Sequence, residues 1–289
     1  MQVITAIDKM RSYVEEAKSR GKKIGLVPTM GCFHQGHLSL IEKAGTSTDT
    51  TIVSIFVNPA QFGPDEDYLA YPRDVEQDRL KAARAGVDVI FAPGLSEMYP
   101  ESYLTYVNVE MITGVLCGKA RPGHFKGVAT VCAKLFNIIK PDIAFFGQKD
   151  AQQTIVVKRM VKDLNMDVEI EVLPIVREKD GLAMSSRNKY LNTVQRKDAL
   201  VLYQALTKAK DMIKSGERNA GMIIGCTKQI MDKAGLKIDY ISIVNARQLN
   251  SLEVISGEVL IALAVWVGRA RLIDNIIVNT EVNTMGHEL

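Results

Sequence analysis

Short runs of apolar residues alternate with longer amphipathic stretches from the N-terminus to Val176. The runs are continuous rather than alternating, which is typical of parallel strands covered by helices on both faces. We predict strands over residues 23–27, 51–57, 87–91, 143–146 and 168–176. Apolar positions at helical spacing predict helices over residues 5–20, 38–44, 74–85, 128–139 and 151–164. This order predicts an α/β fold with a doubly wound, Rossmann-like parallel sheet.

Local signals predict where several of these elements begin and end. Thr5 and Asp8 form a capping pair at the start of the first helix, and Gly45 is a stop signal for the second. Pro28 is predicted to end the first strand because proline has no backbone N–H to donate. Residues 121–127, Arg-Pro-Gly-His-Phe-Lys-Gly, predict a glycine-rich loop before the fourth helix.

The pattern changes near residue 178, where a polar loop begins. Two helices and then three strands follow this loop, and they predict a compact, mostly antiparallel α+β unit. The helices are predicted over 193–214 and 222–233, and the strands over 240–244, 259–267 and 272–278. We therefore predict two domains, a Rossmann-like domain of residues 1–177 and a smaller C-terminal domain of residues 178–289.

Composition narrows the class of protein without identifying it. The net charge of the 289 residues is +3 and no basic run stands out, which argues against a nucleic-acid or membrane-surface partner. The four cysteines form no Cys-x-x-Cys pair, so reduced thiols are expected. The chain contains no apolar run long enough to span a membrane and no early apolar signal core. These features predict a cytoplasmic protein.

Candidate chemistry is concentrated in residues 28–37, Pro-Thr-Met-Gly-Cys-Phe-His-Gln-Gly-His, between the first strand and the second helix. Ligands collect at such turns in α/β folds. Gly31 and Gly36 let the backbone approach a bound group, and the helix N-terminus favours an anion such as phosphate. His34 and His37 are three residues apart and project from one side of the first helical turn. Two alternatives to a phosphate-binding turn stay open: the histidines could be half of a zinc site, or the segment could be a purely structural helix start.

Four polar loops follow strands or the end of the sheet, over residues 29–37, 58–63, 147–153 and 184–188. Because the carboxyl ends of parallel strands face one crevice, we expect them to converge. Lys149, Arg187 and the hydroxyls of Ser185 and Ser186 suit a triphosphate. Each of these groups alone could also be an ordinary surface residue.

Three further observations concern uncharged and acidic side chains. Gln61 and Gln153 are neutral amides that can orient a carboxylate without removing its nucleophilicity, although exposed glutamines are common. Asp78 and Asp150 could place Mg²⁺ through water, since Mg²⁺ prefers octahedral oxygen ligands and retains water. The simpler interpretation makes both carboxylates surface or helix-start residues.

Five segments in order resemble one known family. They are the 28–37 turn, Phe-Val-Asn-Pro-Ala-Gln-Phe at 56–62, Arg-Pro-Gly-His-Phe at 121–125, Phe-Gly-Gln-Lys-Asp-Ala-Gln-Gln at 146–153 and Met-Ser-Ser-Arg-Asn at 184–188. The His-x-Gly-His pattern resembles the signature of the nucleotidyltransferase superfamily. Together the segments resemble its pantothenate synthetase family. That resemblance implies condensation of (R)-pantoate with β-alanine, using ATP and Mg²⁺ and releasing AMP and pyrophosphate through a pantoyl adenylate.

The resemblance also implies residue roles. His37 would be the catalytic proton donor, Gln61 would contact pantoate and β-alanine, and Gln153 would contact pantoate, while the metal ligands stay unknown. The residues that would hold ATP are Met30, Gly31, Cys32, Phe33, His34, Gln35, Gly36, His37, Gly147, Gln148, Lys149, Asp150, Val176, Met184, Ser185, Ser186 and Arg187. The first domain would bind nucleotide and pantoate, the second would act as a lid, and the family is usually a homodimer.

This sequence departs from the family pattern at Cys32 and Phe33, which replace a small residue followed by leucine, and at Gln35, which replaces a common glutamate. None of these changes removes a charged phosphate contact. Two other functions stay open at this point. One is a nucleotidylyltransferase that keeps AMP in its product, and the other is a nucleotide-binding regulator without turnover.

Overall fold

The computed structural model describes residues 1–64 and 66–280. Among these residues, six parallel strands form one sheet in the order β1-β4-β3-β2-β5-β6. The strands are β1 (Gln2–Ile4), β2 (Ile24–Thr29), β3 (Thr50–Ile55), β4 (Val89–Phe91), β5 (Ile143–Gly147) and β6 (Glu169–Leu173). The order reverses between β2 and β5, and ligands of doubly wound sheets bind at such a switch point. The predicted α/β class and parallel sheet are confirmed.

Helices are interspersed with these strands in the chain. Those described up to β6 are α1 (Ile7–Ser19), α2 (Gln35–Ser47), α3 (Val75–Arg84), α4 (Leu95–Met98), α5 (Leu116–Ala120), α6 (His124–Ile139) and α7 (Ala151–Asp163). Leu40, Ile41 and Ala44 of α2 belong to one buried cluster with Val53 of β3 and Phe145 of β5. This apolar face of α2 fixes the start of the helix at the end of β2.

The described chain divides into two compact units. The first consists of Met1–Gly114, Arg121–Gln148 and Gln152–Val176, and the second contains Val115–Ala120, Lys149–Ala151 and the chain from Arg177 onward. The second unit holds α5, α8 (Thr193–Asp198), α9 (Val201–Lys214), α10 (Ala220–Lys233), β7 (Lys237–Asn245), β8 (Glu258–Val267) and β9 (Ala270–Asn279). These strands of the second unit form an antiparallel sheet in the order β7-β8-β9.

Several predicted boundaries in the first half of the chain were wrong. Helix α1 begins at Ile7, and the Ile7 N–H donates to the distant Glu97 Oε1 at 2.6 Å in place of the predicted cap. Strand β2 continues through Pro28 to Thr29. At these two residues it pairs with β3 but no longer with β5. Because β5 has no partner there, the N–H that Pro28 lacks removes no hydrogen bond between β2 and β5. Helix α2 continues through Gly45.

Boundaries beyond residue 120 also differ from the prediction, most clearly at the start of α6 and between α8 and α9. Gly123 adopts a φ of 83° as the N-cap of α6, so the second half of the predicted glycine-rich loop is helical. The predicted helix over 193–214 is divided into α8 and α9. Around the break, the Leu200 N–H donates to the Lys197 carbonyl and the Leu202 N–H to the Ala199 carbonyl. These bonds span three residues, as in a 3₁₀ helix, so the backbone between α8 and α9 is wound more tightly.

Within residues 1–64 and 66–280, no helix is both long enough and apolar enough to cross a bilayer.

Candidate active site

The backbone between β2 and α2 turns through two successive left-handed residues, Gly31 with φ 85° and Cys32 with φ 56°. The Thr29 hydroxyl donates to the Ser54 carbonyl at 2.6 Å and accepts the Gly31 N–H at 3.1 Å. A Cβ at position 31 would lie 2.8 Å from Oδ2 of Asp78. Glycine is therefore required at this position by both its φ and the close side chain.

Helix α3 holds this turn through two side chains three residues apart. Asp78 accepts the Cys32 N–H at 2.6 Å and the Phe33 N–H at 2.7 Å, while Lys81 Nζ donates to the Phe33 carbonyl at 2.7 Å. Of the two simpler interpretations of Asp78, the surface carboxylate is wrong, since Asp78 is 2% exposed, whereas the helix-start position is right, since it lies in the first turn of α3. Burial raises the pKa of the Asp78 carboxyl, although the Phe33 and Cys32 N–H groups and the Lys81 ammonium oppose the shift.

This arrangement limits which backbone groups of the turn can meet a ligand. The N–H groups of Cys32 and Phe33, which precede the helix, both donate to the Asp78 carboxylate. Asp78 itself carries the negative charge that these donors would otherwise attract. The conformation of the turn is thus set by α3 before any ligand binds.

The two histidines stand at the start of α2 as expected. His34 is the N-cap, its Nδ1 accepts the Gly36 N–H at 3.1 Å, and the His34 N–H in turn donates to Nδ1 of His37 at 3.3 Å. The ring centroids are 4.1 Å apart. Because each Nδ1 accepts a hydrogen bond, the hydrogen of each neutral ring is on Nε2. The capping box thus sets Nε2–H as the donor of both imidazoles.

Gln61 follows β3 in a short 3₁₀ helix, Pro59–Gln61, and is buried. Its Oε1 accepts the Asn58 Nδ2–H at 3.1 Å, which directs its Nε2–H to Sδ of Met30 at 3.1 Å. Thioether sulfur is a weak acceptor, so a carboxylate oxygen would be a stronger partner for this donor. The structure therefore brings Gln61 beside the 28–37 turn, with an amide suited to a carboxylate.

Asn58 is a positioning residue that the sequence analysis did not single out. Its Oδ1 accepts from the Tyr99 hydroxyl at 2.8 Å, and its Nδ2 also donates to the Gly127 carbonyl at 3.1 Å. Asn58 is 1% exposed. In the sequence, Asn58 is recognisable only as a polar residue directly after an apolar strand. That position does not reveal its partners, Tyr99 at the end of α4 and Gly127 in α6, because both are distant in the chain.

A second set of contacts fixes the backbone of Gln61. His124 Nδ1 lies 2.7 Å from the Gln61 carbonyl oxygen, to which Arg121 also donates at 3.3 Å. Arg121 pairs with Glu66 through Nε at 2.7 Å. Burial raises the pKa of Glu66, but the hydrogen bonds and charge of Arg121 outweigh it, so the pKa lies below its usual value. The 121–125 motif therefore supports Gln61 in this structure.

Two consecutive glutamines in the first turn of α7, Gln152 and Gln153, differ in exposure. Gln152 is buried, and its Nε2 donates to the Ile112 carbonyl at 2.9 Å, whereas Gln153 is partly exposed. Gln152 thus has a structural partner, and the role of Gln153 as the pantoate contact stays a prediction. Gly147 ends β5, and Gln148 begins the 3₁₀ helix Gln148–Asp150.

Lys149 and Asp150 cluster with the second unit. The Lys149 side chain is 20% exposed, and its Nζ lies 3.7 Å from Oδ1 of Asp150, whose side chain is half exposed. The Lys149 carbonyl accepts from Nδ2 of Asn275 at 3.0 Å. Lys149 is thus mostly enclosed and is tied to β9 through its backbone.

The predicted 184–188 loop is held from both sides within the second unit. Ser185 accepts the Arg187 N–H at 3.2 Å and is the N-cap of the 3₁₀ helix Ser186–Tyr190. Asn188 donates to the Ala183 carbonyl at 3.1 Å and to Glu178 at 3.0 Å. Ser186 is buried. These contacts give Ser185, Ser186 and Arg187 a defined backbone.

Metal binding by protein groups alone is not indicated in the described part of the chain. Residues 1–64 and 66–280 contain no group of three or more histidine, cysteine, aspartate or glutamate side chains that could hold an ion. The alternative of a zinc site at His34 and His37 therefore lacks further ligands there, and His287 lies outside the described residues. The donors at this site suit a polyanion instead.

Comparisons with known proteins agree over the whole length of the chain. The family model described as pantoate-beta-alanine ligase matches residues 2–277. The pantothenate synthetase of Moorella thermoacetica is 56% identical over 284 residues, covering 98% of this chain and 100% of that protein. The pantothenate synthetase of Caldicellulosiruptor saccharolyticus is 56% identical over 279 residues, covering 96% and 99%.

Solved structures give the same result. The pantothenate synthetase of Thermus thermophilus has a TM-score of 0.91 and 43% identity, covering 96% of this chain and 99% of that chain. The pantoate-beta-alanine ligase of Francisella tularensis, complexed with beta-gamma ATP and beta-alanine, has a TM-score of 0.81 and 36% identity, covering 98% and 99%. This chain therefore belongs to the pantoate–β-alanine ligase family.

Proposed function

We propose that this chain condenses (R)-pantoate with β-alanine at the expense of ATP, giving pantothenate, AMP and pyrophosphate through a pantoyl adenylate. The observation that carries the proposal is the pairing of two Nε2–H imidazoles, His34 and His37, with the buried Gln61 amide beside the same turn. Phosphate and carboxylate can meet at such a site. Family membership over residues 2–277 supports the same reaction.

The first step brings two anions together, so catalysis requires alignment and neutralisation of charge. The pantoate carboxylate attacks the α-phosphorus of ATP and pyrophosphate leaves. His37 donates from Nε2 to the phosphate oxygens that gain charge, and His34 supplies a second donor from the same helix start. We assign the ammonium of Lys149 and the guanidinium of Arg187 to the phosphates as well. The remaining ATP contacts are those implied by the resemblance.

Gln61 and Gln153 are proposed to hold pantoate. An arginine would bind the carboxylate more tightly and reduce its reactivity, whereas an amide donates hydrogen bonds without a full charge. Gln61 has its amide orientation fixed by Asn58, so binding requires little reorganisation. The β-alanine amine then attacks the adenylate carbonyl and displaces AMP, and we assign Gln61 to that second substrate too.

The two predicted domains receive different roles in this proposal. Residues 1–177 bind nucleotide and pantoate, and residues 178–289 act as a lid that shields the adenylate from water. Mg²⁺ bound with ATP would neutralise phosphate charge. The half-exposed Asp150 would be better suited to hold it than Asp78, whose oxygens already accept from two N–H groups. We further propose a cytoplasmic homodimer.

Product analysis tests this function. The purified chain is incubated with ATP, Mg²⁺ and pantoate, with and without β-alanine, and its products are separated by chromatography and mass spectrometry. We expect AMP and pantothenate in equal amounts when β-alanine is present. A stable product that keeps AMP would instead support a nucleotidylyltransferase, and absence of turnover in the folded protein would support a regulator.

A further inference from the structure

Two polar residues interrupt the apolar run of β9, Asp274 and Asn275. They are adjacent and therefore point to opposite faces of the strand, yet Asp274 is 2% exposed and Asn275 is 3% exposed. Burial of polar side chains is costly unless they are hydrogen-bonded. Their positions in an otherwise apolar strand therefore require specific partners.

Asp274 forms a two-pronged ion pair with Arg177. Its Oδ2 accepts from Nη1 at 2.7 Å and its Oδ1 from Nη2 at 2.9 Å. Arg177 also donates to the Gly181 carbonyl at 3.0 Å and lies over the Tyr203 ring at 4.5 Å. Such paired geometry fixes both side chains more firmly than a single contact. The start of the 178–188 segment is thus anchored on β9.

The same pair holds Asn275. The Asn275 N–H donates to Asp274 Oδ1 at 2.8 Å, and its carbonyl accepts from Arg177 Nη2 at 3.4 Å. From this fixed backbone, Asn275 Nδ2 donates to the Lys149 carbonyl at 3.0 Å. A carbonyl oxygen accepts but cannot donate, so this contact also sets which end of the amide faces Lys149.

We propose that Asn275 is a positioning residue that places Lys149 for its contact with the ATP phosphates, with Asp274 and Arg177 holding Asn275 in turn. Neither Asp274 nor Asn275 is among the residues that the resemblance assigns to a substrate. The inference rests on the proposed function, because it gives Lys149 a phosphate to contact. A lysine ammonium on a long flexible side chain depends on a fixed backbone for its reach.

A double-mutant cycle in pyrophosphate exchange tests this role, using ATP, Mg²⁺ and pantoate with Asn275→Ala, Lys149→Ala and the double variant. We expect Asn275→Ala to lower kcat/KM for ATP by about 10- to 100-fold, as misplacement by about 1 Å does, with the KM for pantoate unchanged. When Lys149 is already alanine, the Asn275→Ala substitution should leave kcat/KM for ATP almost unchanged. Asn279→Ala, at an exposed position on the same strand, is the matched control.

The possible outcomes distinguish failure of the positioning role of Asn275 from failure of the proposed function. Multiplicative losses in the double variant would overturn the positioning role, because a merely structural asparagine acts independently of Lys149. Normal exchange by Lys149→Ala would also overturn it, while leaving the overall reaction intact. Absence of exchange in the unmodified chain would instead contradict the proposed function. If Asn275→Ala does not fold, Asn275→Ser, which is too short to reach the Lys149 carbonyl, replaces it in the cycle.

Discussion

Asp78 on α3 accepts the backbone N–H of Cys32 at 2.6 Å, across 46 residues of sequence. With the Phe33 N–H on its other oxygen, this carboxylate holds the strand-to-helix turn in its left-handed conformation. The cost of a positive φ at the non-glycine residue Cys32 is thereby offset by strong, charge-assisted hydrogen bonds. The conformation of the turn that carries His34 and His37 therefore depends on Asp78 of α3 as well as on the turn's own residues.

Replacing Asp78 by asparagine tests this role. The amide has nearly the same shape but one acceptor oxygen instead of two, so either the Cys32 or the Phe33 N–H loses its partner. We expect a folded variant destabilised by about 1–3 kcal/mol, the usual cost of one unsatisfied buried donor. Activity should fall because the histidines shift. Chemical denaturation and steady-state kinetics measure the two effects, and a variant unchanged in both would contradict the role given to Asp78.

Replacing Gln61 by glutamate tests the division between nucleotide and pantoate contacts. The added carboxylate repels the pantoate carboxylate, so we expect the KM for pantoate to rise at least about tenfold, equivalent to about 1.4 kcal/mol. Affinity for ATP, measured by calorimetry, should stay nearly unchanged. Gln77→Glu, at an exposed position on α3, controls for the change in net charge. Comparable loss of ATP affinity would place Gln61 in the nucleotide site and refute the division.

Gly127 of α6 allows close packing against the backbone that carries Gln61. A Cβ there would overlap the Ala60 carbonyl group and lie 2.5 Å from the Gln61 nitrogen. Gly127→Ala should therefore displace the Pro59–Gln61 segment, lower stability by about 1–3 kcal/mol as overpacking does, and weaken pantoate binding.

The matched control is Gly225→Ala in α10, where a new Cβ meets no atom of the described residues within 4 Å. Alanine is favoured over glycine inside a helix by about 0.5–1 kcal/mol, so this variant should be slightly more stable. Thermal unfolding distinguishes the two. Equal melting temperatures for the Gly127 and Gly225 variants would mean that the contact with Ala60 is unimportant.

The sequence predicted most of what depends on local pattern. Continuous apolar runs located five strands of the sheet, whereas the helix predicted over 38–44 begins at Gln35, three residues earlier. What it missed depends on partners distant in the chain. Thr5 looked like a cap, but α1 takes its acceptor from Glu97. Asp78 sits on a helix like any other polar residue, and only the fold brings Cys32 and Phe33 to it.

Three other residues that were missed share a recognisable signal in the sequence, although that signal does not identify their roles. Asn58 directly follows an apolar strand, and Asp274 and Asn275 lie inside one. A polar residue at such a position indicates a buried hydrogen-bond network. The sequence does not say which backbone group accepts the bond, because that is decided by packing between elements.

The central claim is that the pantoate carboxylate is activated by ATP before any amine arrives, with His37 donating to the phosphates. Incorporation of labelled pyrophosphate into ATP, in the presence of Mg²⁺ and pantoate but without β-alanine, tests it most directly. We expect exchange by the unmodified chain and by Cys32→Ala, since no thiol carries an acyl group. His37→Ala should fold, and its rate of exchange should fall by about 10²- to 10³-fold, as it does when one such hydrogen-bond donor is removed. Exchange that strictly requires β-alanine, or near-normal exchange by the His37 variant, would contradict the account.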